Sequence, residues 1–553
     1  MNADPAVLRV AVTDLVMRAG SGGILFPAPG FLERMALGSL LHRRYQERAA
    51  SEDASWRSEV PLAADLDHDG RRIRIEGRAD GVRLAEDGAR VVEELKSAAG
   101  ATRGERLVLE RLQVELYAWL LARSGGGAVR AELVWLTLDE EPPGVAVTAR
   151  EAVAFDPGDV ERRLRPLLEG VVRDARRQEA WAAARRACAD ALAFPYPTAR
   201  PGQPEIGAAV AHAIAERRHL LLEAPTGIGK TAAVLLPALR HAFREGGRVL
   251  FLTSRGTQQR GILAALDRIV PRGTAAAVPL RPKAELCATG TLLCHEDECA
   301  FARRYGRKRD EGELLQRLFA AGDVVRPATA LAVGAEAEAC PHALARDAAR
   351  EAVLAIGDLN YAVDPPVMLP ELAPGERLDE WVLLIDEAHQ LPDRAREARS
   401  AELARDALRA LADAAAIGGA PAHAALRASA LALARAVDAI ARDVAGADVE
   451  GDGELEWELG AETLAAERDA LASALAAYVE YRLETRTLAP RHEDAALEGA
   501  RTALAFFAAL DAKGPGTATS VAWERGAPRL RVHCLEPERD LAALFARFRS
   551  VVA

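Results

Sequence analysis

The apolar run Leu220-Leu221-Leu222 leads into Glu223-Ala224-Pro225-Thr226-Gly227-Ile228-Gly229-Lys230-Thr231, and no other stretch of the chain restricts its fold as much. A strand that ends in a glycine-bearing loop and opens directly into a helix turns backbone N–H groups toward one point, where a phosphate can be surrounded. Gly227 and Gly229 leave room for that approach. Lys230 is placed for the β- and γ-phosphates and Thr231 for Mg2+. A helix from Gln203, a strand over His219 to Glu223, this loop, a helix and a strand over Arg248 to Thr253 predict the start of a parallel α/β sheet.

The sheet is expected to resume at Trp381-Val382-Leu383-Leu384-Ile385-Asp386-Glu387-Ala388-His389. There a buried strand ends in Asp386, which can hold Mg2+, and Glu387, which can orient the attacking water. This order and spelling resemble superfamily 2 helicases. The resemblance makes Ala224, in place of the usual first glycine, a tolerated variant, and matches Gln203, just after Arg200, to the adenine-reading Q motif. It implies an ATP site built from Gln203, residues 224–231 and Asp386, with Lys230 and Glu387 in catalytic roles.

Cys287, Cys294 and Cys299 lie within thirteen residues and Cys340 follows after a gap of 40, whereas Cys188 and Cys534 are isolated. A cytosolic chain does not build a disulfide framework from such cysteines, which leaves metal. Structural zinc favours tight Cys-x-x-Cys knuckles, and neither gap here has two intervening residues. Four thiolates at looser spacing suit an iron–sulfur cluster; ligand affinity alone leaves zinc open, and unliganded thiols are a third reading.

The phosphate loop, a four-cysteine insertion ending in Cys340-Pro341, the stretch carrying Asn360, Tyr361, Asp364 and Pro365, and then DEAH resemble the XPD/DinG iron–sulfur helicases over about residues 194–553. The resemblance implies ATP-driven 5′-to-3′ movement on single-stranded DNA, a 4Fe–4S cluster on Cys287, Cys294, Cys299 and Cys340 at a duplex fork, and a helical arch after DEAH. The run Phe301 to Arg309, by itself readable as a solvated helix face, would then lie beside the cluster with Arg303, Arg304 and Arg307 toward DNA.

A second centre is expected near the start. Residues 73–97 read as a β-hairpin turning at Glu86-Asp87-Gly88, with Gly88 in the left-handed position. That register sets Asp80 opposite Glu94 and Arg78 opposite Lys96, so Asp80, Glu94 and Lys96 project from one face. Two carboxylates there can hold Mg2+ or Mn2+, and the ammonium can position or help activate a water. Only five of the 71 basic residues are lysines, and two of them, Lys96 and Lys230, fall in these motifs. A compact ammonium can approach a single oxygen where the wider guanidinium cannot. The arrangement resembles the RecB-like branch of the PD-(D/E)xK nucleases, with Gly38-x-x-x-His42 upstream and Gln113-x-x-x-Tyr117 downstream. The resemblance implies His42 as a further metal ligand and Gln113 and Tyr117 near nucleic acid. Ala79 stands where the family name has proline, and an inactive nuclease fold that only binds DNA is the alternative.

The chain is thus expected to be a multidomain α/β protein: a nuclease-like domain over 1–185, a RecA-like lobe over 186–285 and 343–392, the cysteine insertion over 286–342, an all-helical insertion over 393–540 with a last strand-like segment over Leu530 to Leu535, and a return strand from 541. A composition half apolar and 28% charged is ordinary for a soluble globular protein. With no signal pattern in the first residues and no apolar run of ~20 residues, the expected site is the cytoplasm, away from membranes. The net charge of −11 argues weakly against nucleic acid, but local charge matters more. No second motor lobe follows Ala553, so the chain is expected to bind ATP, hydrolyse it poorly and leave duplex intact. The function expected is a DNA helicase with an attached metal-dependent nuclease, for repair, recombination or defence, acting on single-stranded or forked DNA. The alternatives are a non-catalytic ATP- and DNA-binding module and a nucleotide-driven restriction-type translocase.

Overall fold

Alternating and continuous apolar runs divide the strands between two kinds of sheet. In the computed structural model, which describes residues 7–20, 31–97, 105–138, 144–225, 227–291, 294, 299–364, 367–372, 376–446, 451–460, 462–487, 489 and 493–553, the first sheet is mixed. It comprises β1 (Val7–Ala11), β2 (Arg57–His68), β3 (Arg71–Leu84), β4 (Arg90–Ser97), β5 (Val129–Leu138) and β6 (Val145–Val153). The order is β1-β3-β4-β5-β6, with β2 on the other side of β3. β4 and β5 are parallel, as a crossover through the helix Glu105–Ser124 requires. Ile73, Ile75, Ala79, Val92 and Leu133 bury one core against that helix and against Val12 and Leu15 of the helix Val12–Ala19.

The second sheet holds β7 (Arg248–Thr253), β8 (Ala277–Pro279), β9 (Leu354–Asp358) and β10 (Trp381–Ile385). These strands read VLFL, LAIG and VLLI because helices cover both faces of a parallel sheet. The insertion after DEAH departs from the all-helical expectation. Its helices Arg405–Ala415, Pro421–Ala445, Ala465–Glu484 and Ala495–Asp511 share a core with a four-stranded antiparallel sheet. That sheet is built from β11 (Ala401–Ala404), β12 (Gly453–Glu456), β13 (Thr517–Glu524) and β14 (Ala527–Cys534), in the order β11-β14-β13-β12. In β14 burial alternates, with Leu530, Val532 and Cys534 inward and Arg529, Arg531 and His533 outward. Arg525 (φ 51°) and Gly526 (φ 74°) make the two-residue left-handed turn that suits a hairpin. A period of two outweighs the surrounding helical composition.

The chain then returns as β15 (Ser550–Val552), parallel to β10. Among the described residues the segment His219 to Glu223 pairs only with β15 and the residue after it: Leu220 and Leu222 donate to the Val551 and Ala553 carbonyls at 2.8 Å each. With a neighbour on one side, Leu221 is 87% exposed, and the expected strand shortens to a bridge between Leu220 and Val552. The second sheet runs β15-β10-β7-β9-β8.

The 32-residue helix Pro157–Cys188 ties the two α/β regions together. Arg185 donates to the carbonyls of Thr274 (2.6 Å) and Ala275 (2.9 Å), Trp181 packs edge-on against Phe319, and Arg177 pairs with Glu351. Arg18 bridges Asp174 and Asp310. Among the described residues no helix is long and apolar enough to cross a membrane.

Candidate active sites

The hairpin closes as its turn dictates. The Ala85 and Ala89 backbones pair across Glu86-Asp87-Gly88, and Gly88 has φ 81°. The ladder runs from Leu84 opposite Arg90 to Gly81 opposite Glu93, the register that carries Asp80 to Glu94. The Leu95 N–H donates to Asp80 Oδ2 at 2.8 Å, and Lys96 Nζ donates to Glu94 Oε1 at 2.9 Å and Gln113 Oε1 at 3.2 Å. From the helix Phe31–Glu52, His42 Nδ1 lies 3.8 Å from Asp80 Oδ1. Glu94 Oε2 is buried without a hydrogen-bond partner among the described residues.

Burial pushes the Asp80 carboxyl up to about 6, against the pull of the Leu95 N–H and Lys96. Burial also takes Glu94 up to about 7, with Lys96 opposing and Asp80 adding repulsion. His42 is lowered by burial and by Lys96, which favours the neutral, ligating imidazole. Two crowded carboxylates, one with an unmet oxygen, and a neutral imidazole suit a divalent cation. Among the described residues, however, no three His, Cys, Asp or Glu side chains are gathered tightly enough to hold an ion as they stand. Gln113 and Tyr117, expected near nucleic acid, sit on the helix packed over this face: Gln113 Oε1 accepts a hydrogen bond from the Lys96 ammonium, and Tyr117 is buried against Gly77. The crossover helix lies on the sheet face, so positions four apart on its inner side point at the strands.

Beside the second sheet the glycine-bearing loop enters the helix Lys230–Glu245, with Gly227 and Gly229 at φ 80° and 85°. Thr226 lies outside the described residues, as does Pro365. Lys230 Nζ donates to the Ala224 carbonyl at 2.9 Å, and Thr231 follows it in the first turn. Asp386 ends the strand with its N–H on the Leu252 carbonyl. Burial and Glu387 raise its carboxyl while Lys230 draws it down, which puts the lysine within electrostatic reach of the acidic motif. Glu387 stands 3.4 Å from His389 Nδ1.

Gln203 was expected to read adenine. Its buried amide is committed to the loop: Nε2 donates to the carbonyls of Ile228 (2.9 Å) and Gly229 (3.1 Å), and Oε1 accepts from Arg200 N–H at 2.7 Å. A Cβ on Gly229 would collide with it. The Arg200 guanidinium, not singled out from the sequence, donates to the Gly227 carbonyl.

Cys294 and Cys299 are buried and Cys287 and Cys340 partly so. Burial raises the Cys294 and Cys340 thiols, Cys340 to about 11, and neighbouring sulfurs add to both shifts: Cys299 and Cys287 on the first, Cys294 and Cys299 on the second. The four thiols thus lie within electrostatic reach of one another, but among the described residues no three of them are gathered tightly enough to hold a metal as they stand. The basic run divides in two. Arg303, Arg304 and Arg307 are exposed, while Tyr305 is buried with its hydroxyl on Asp347 (2.9 Å) and Lys308 is held by the carbonyls of Ala300 and Glu338.

Residues 6–203 match the family model described as the PD-(D/E)XK nuclease superfamily. Residues 205–269 match DEAD/DEAH box helicase, and residues 276–408 match DEAD_2. The chain joins a PD-(D/E)XK nuclease-superfamily domain to a DEAD/DEAH box helicase domain. Over 76 residues this fusion is 46% identical to a probable ATP-dependent helicase, MJ0942, of Methanocaldococcus jannaschii, covering 14% of the chain and 12% of that protein. Over 89 residues it is 39% identical to the ATP-dependent helicase DinG of Mycobacterium tuberculosis, covering 16% and 13%. The matched stretch is thus about an eighth of each relative's length. Solved structures superpose loosely. "XPD_Helicase" gives a TM-score of 0.41 at 16% identity over 65% of this chain and 58% of the other, and "Truncated XPD" gives 0.40 at 16% over 63% and 91%.

Proposed function

We propose that the nuclease–helicase fusion is an ATP-driven DNA helicase of the DinG/XPD type with an attached Mg2+- or Mn2+-dependent deoxyribonuclease, working in the cytoplasm on single-stranded or forked DNA in repair, recombination or defence. The observation that carries this reading is the presence, in one polypeptide, of two phosphate-handling centres, each with a lysine facing carboxylates: Lys230 before Asp386, and Lys96 on Glu94 beside Asp80. At the motor centre the loop N–H groups and Lys230 would receive the triphosphate, and Glu387 would orient water. At the nuclease centre Asp80, Glu94 and His42 would hold a divalent cation, which supplies Lewis acidity at the scissile phosphate. Lys96, fixed between Glu94 and Gln113, would position the attacking water. Cys287, Cys294, Cys299 and Cys340 would hold a 4Fe–4S cluster that stiffens the insertion carrying Arg303, Arg304 and Arg307.

Cleavage of labelled single-stranded DNA with Mn2+ tests the nuclease half: the unmodified chain should cut and Lys96→Ala should not. Equal cutting by both would discard the role given to Lys96. ATP hydrolysis that survives Lys230→Ala would discard the motor centre.

A further inference from the structure

Glu93 adjoins Glu94 in β4 but points to the opposite side of the sheet, and no motif accounts for it. It is fully buried. A carboxylate taken out of water is costly unless donors meet its oxygens, and here they do. Oε1 accepts from Arg83 Nε and Arg150 Nη1, both at 2.7 Å. Oε2 accepts from the Tyr45 hydroxyl at 2.9 Å and Trp56 Nε1 at 3.0 Å. Arg150 also donates to the Tyr45 oxygen at 2.7 Å, and Arg83 reaches Glu132 at 2.8 Å. One side chain therefore ties β4 to β3, to β6, to the entry of β2 and to the helix Phe31–Glu52.

That helix bears on the cation site. His42 and Tyr45 are three residues apart and share a helix face. Gln46, the next residue, donates to the Asp80 carbonyl at 3.4 Å. The rotation and height of the helix determine where the His42 imidazole stands relative to Asp80, and the Tyr45 hydroxyl on Glu93 is the polar contact that fixes both against β4. An apolar residue at position 93 could fill the space but would leave the hydroxyl with Arg150 alone and no acceptor on β4. Resting on the nuclease reading, we propose that Glu93 is a positioning residue: through Tyr45 it holds the helix so that His42 completes a divalent-cation site with Asp80 and Glu94.

The test uses the full chain without nucleotide and measures Mn2+ binding by the electron paramagnetic resonance of free aquo-Mn2+. Binding lost in Asp80→Asn defines the share of this site. Tyr45→Phe, which deletes one hydroxyl, should weaken that share about tenfold or more, the worth of one hydrogen bond to a charged group. In a His42→Ala background the same substitution should have no further effect. A merely structural role would produce the same factor in both backgrounds and overturn the proposal. If Tyr45→Phe lowers the folded fraction by circular dichroism, Glu93→Gln, with nearly the same shape, replaces it in the cycle. Failure of both to fold assigns Glu93 to stability and also overturns the proposal. Unchanged Mn2+ affinity in both variants rejects the inference alone. Full Mn2+ binding by Asp80→Asn removes the cation site, and with it the nuclease reading beneath.

Discussion

Replacing Arg177 with alanine strands the Glu351 carboxylate between the nuclease and motor domains. Arg177 Nη2 donates to Glu351 Oε1 at 2.6 Å and Oε2 at 2.8 Å, and Nε adds a bond at 3.2 Å. The two side chains are 12% and 16% exposed. Removing one partner of a buried pair costs about 3–5 kcal/mol. Here the loss is smaller, because burial already pushes the Glu351 carboxyl above its ordinary value against the pull of Arg177, and the orphaned acid can take up a proton. About 2–3 kcal/mol remains, including the guanidinium packed over Trp181 at 5.3 Å. A single unfolding free energy is ill defined for several domains, so amide exchange in the helices Pro157–Cys188 and Pro341–Glu351 is the appropriate assay. Exchange around Trp181 should accelerate about 30- to 150-fold. Glu351→Ala in the same background should restore much of the protection, with a coupling above about 1 kcal/mol. Unaltered exchange, or strict additivity, would reduce this contact to an ordinary surface pair and refute the reasoning.

Three further outcomes follow from the sites. Gly229→Ala should weaken ATP binding about tenfold or more, since a Cβ at φ 85° is strained and displaces Gln203 from two carbonyls; a fluorescent ATP analogue reads this, and unchanged affinity would show that the brace is dispensable. Mn2+ affinity at the nuclease centre should rise with pH between about 5 and 8, because Asp80 and Glu94 must shed protons near 6 and 7 to ligate, while His42 is already neutral. The metal-free domain should show the converse, since two acids with raised folded values stabilise it at low pH and lose that contribution as pH climbs through 6 to 7; a flat Mn2+ profile contradicts the assignment. Cys340→Ser should remove visible absorption and bound iron and sulfide from anaerobically purified protein, and zinc bound at one equivalent in the unmodified chain would replace the cluster.

Much of both centres was legible locally. A three-residue turn ending in a left-handed glycine sets a strand register by counting, and that register brought Asp80 to Glu94. Apolar runs placed β7 and β10, and the loop between Leu222 and Lys230 announced its own chemistry. The strand-like run Leu530 to Leu535 was legible and overlaps β14, whereas the other strands after DEAH were hidden because Ala, Leu and Arg dominate that region.

The chain by itself therefore determined the two motifs, their registers and the elements that carry them, since each depends on neighbours within a turn or a hairpin. Only the tertiary structure decided that Gln203 braces the loop, that Gln113 accepts from Lys96, and that Glu93 gathers donors 10 to 57 residues away. Such meetings join segments whose separate patterns carry no record of one another. They arise when apolar faces bury together and leave each enclosed polar atom to find a partner among whatever packing brings near.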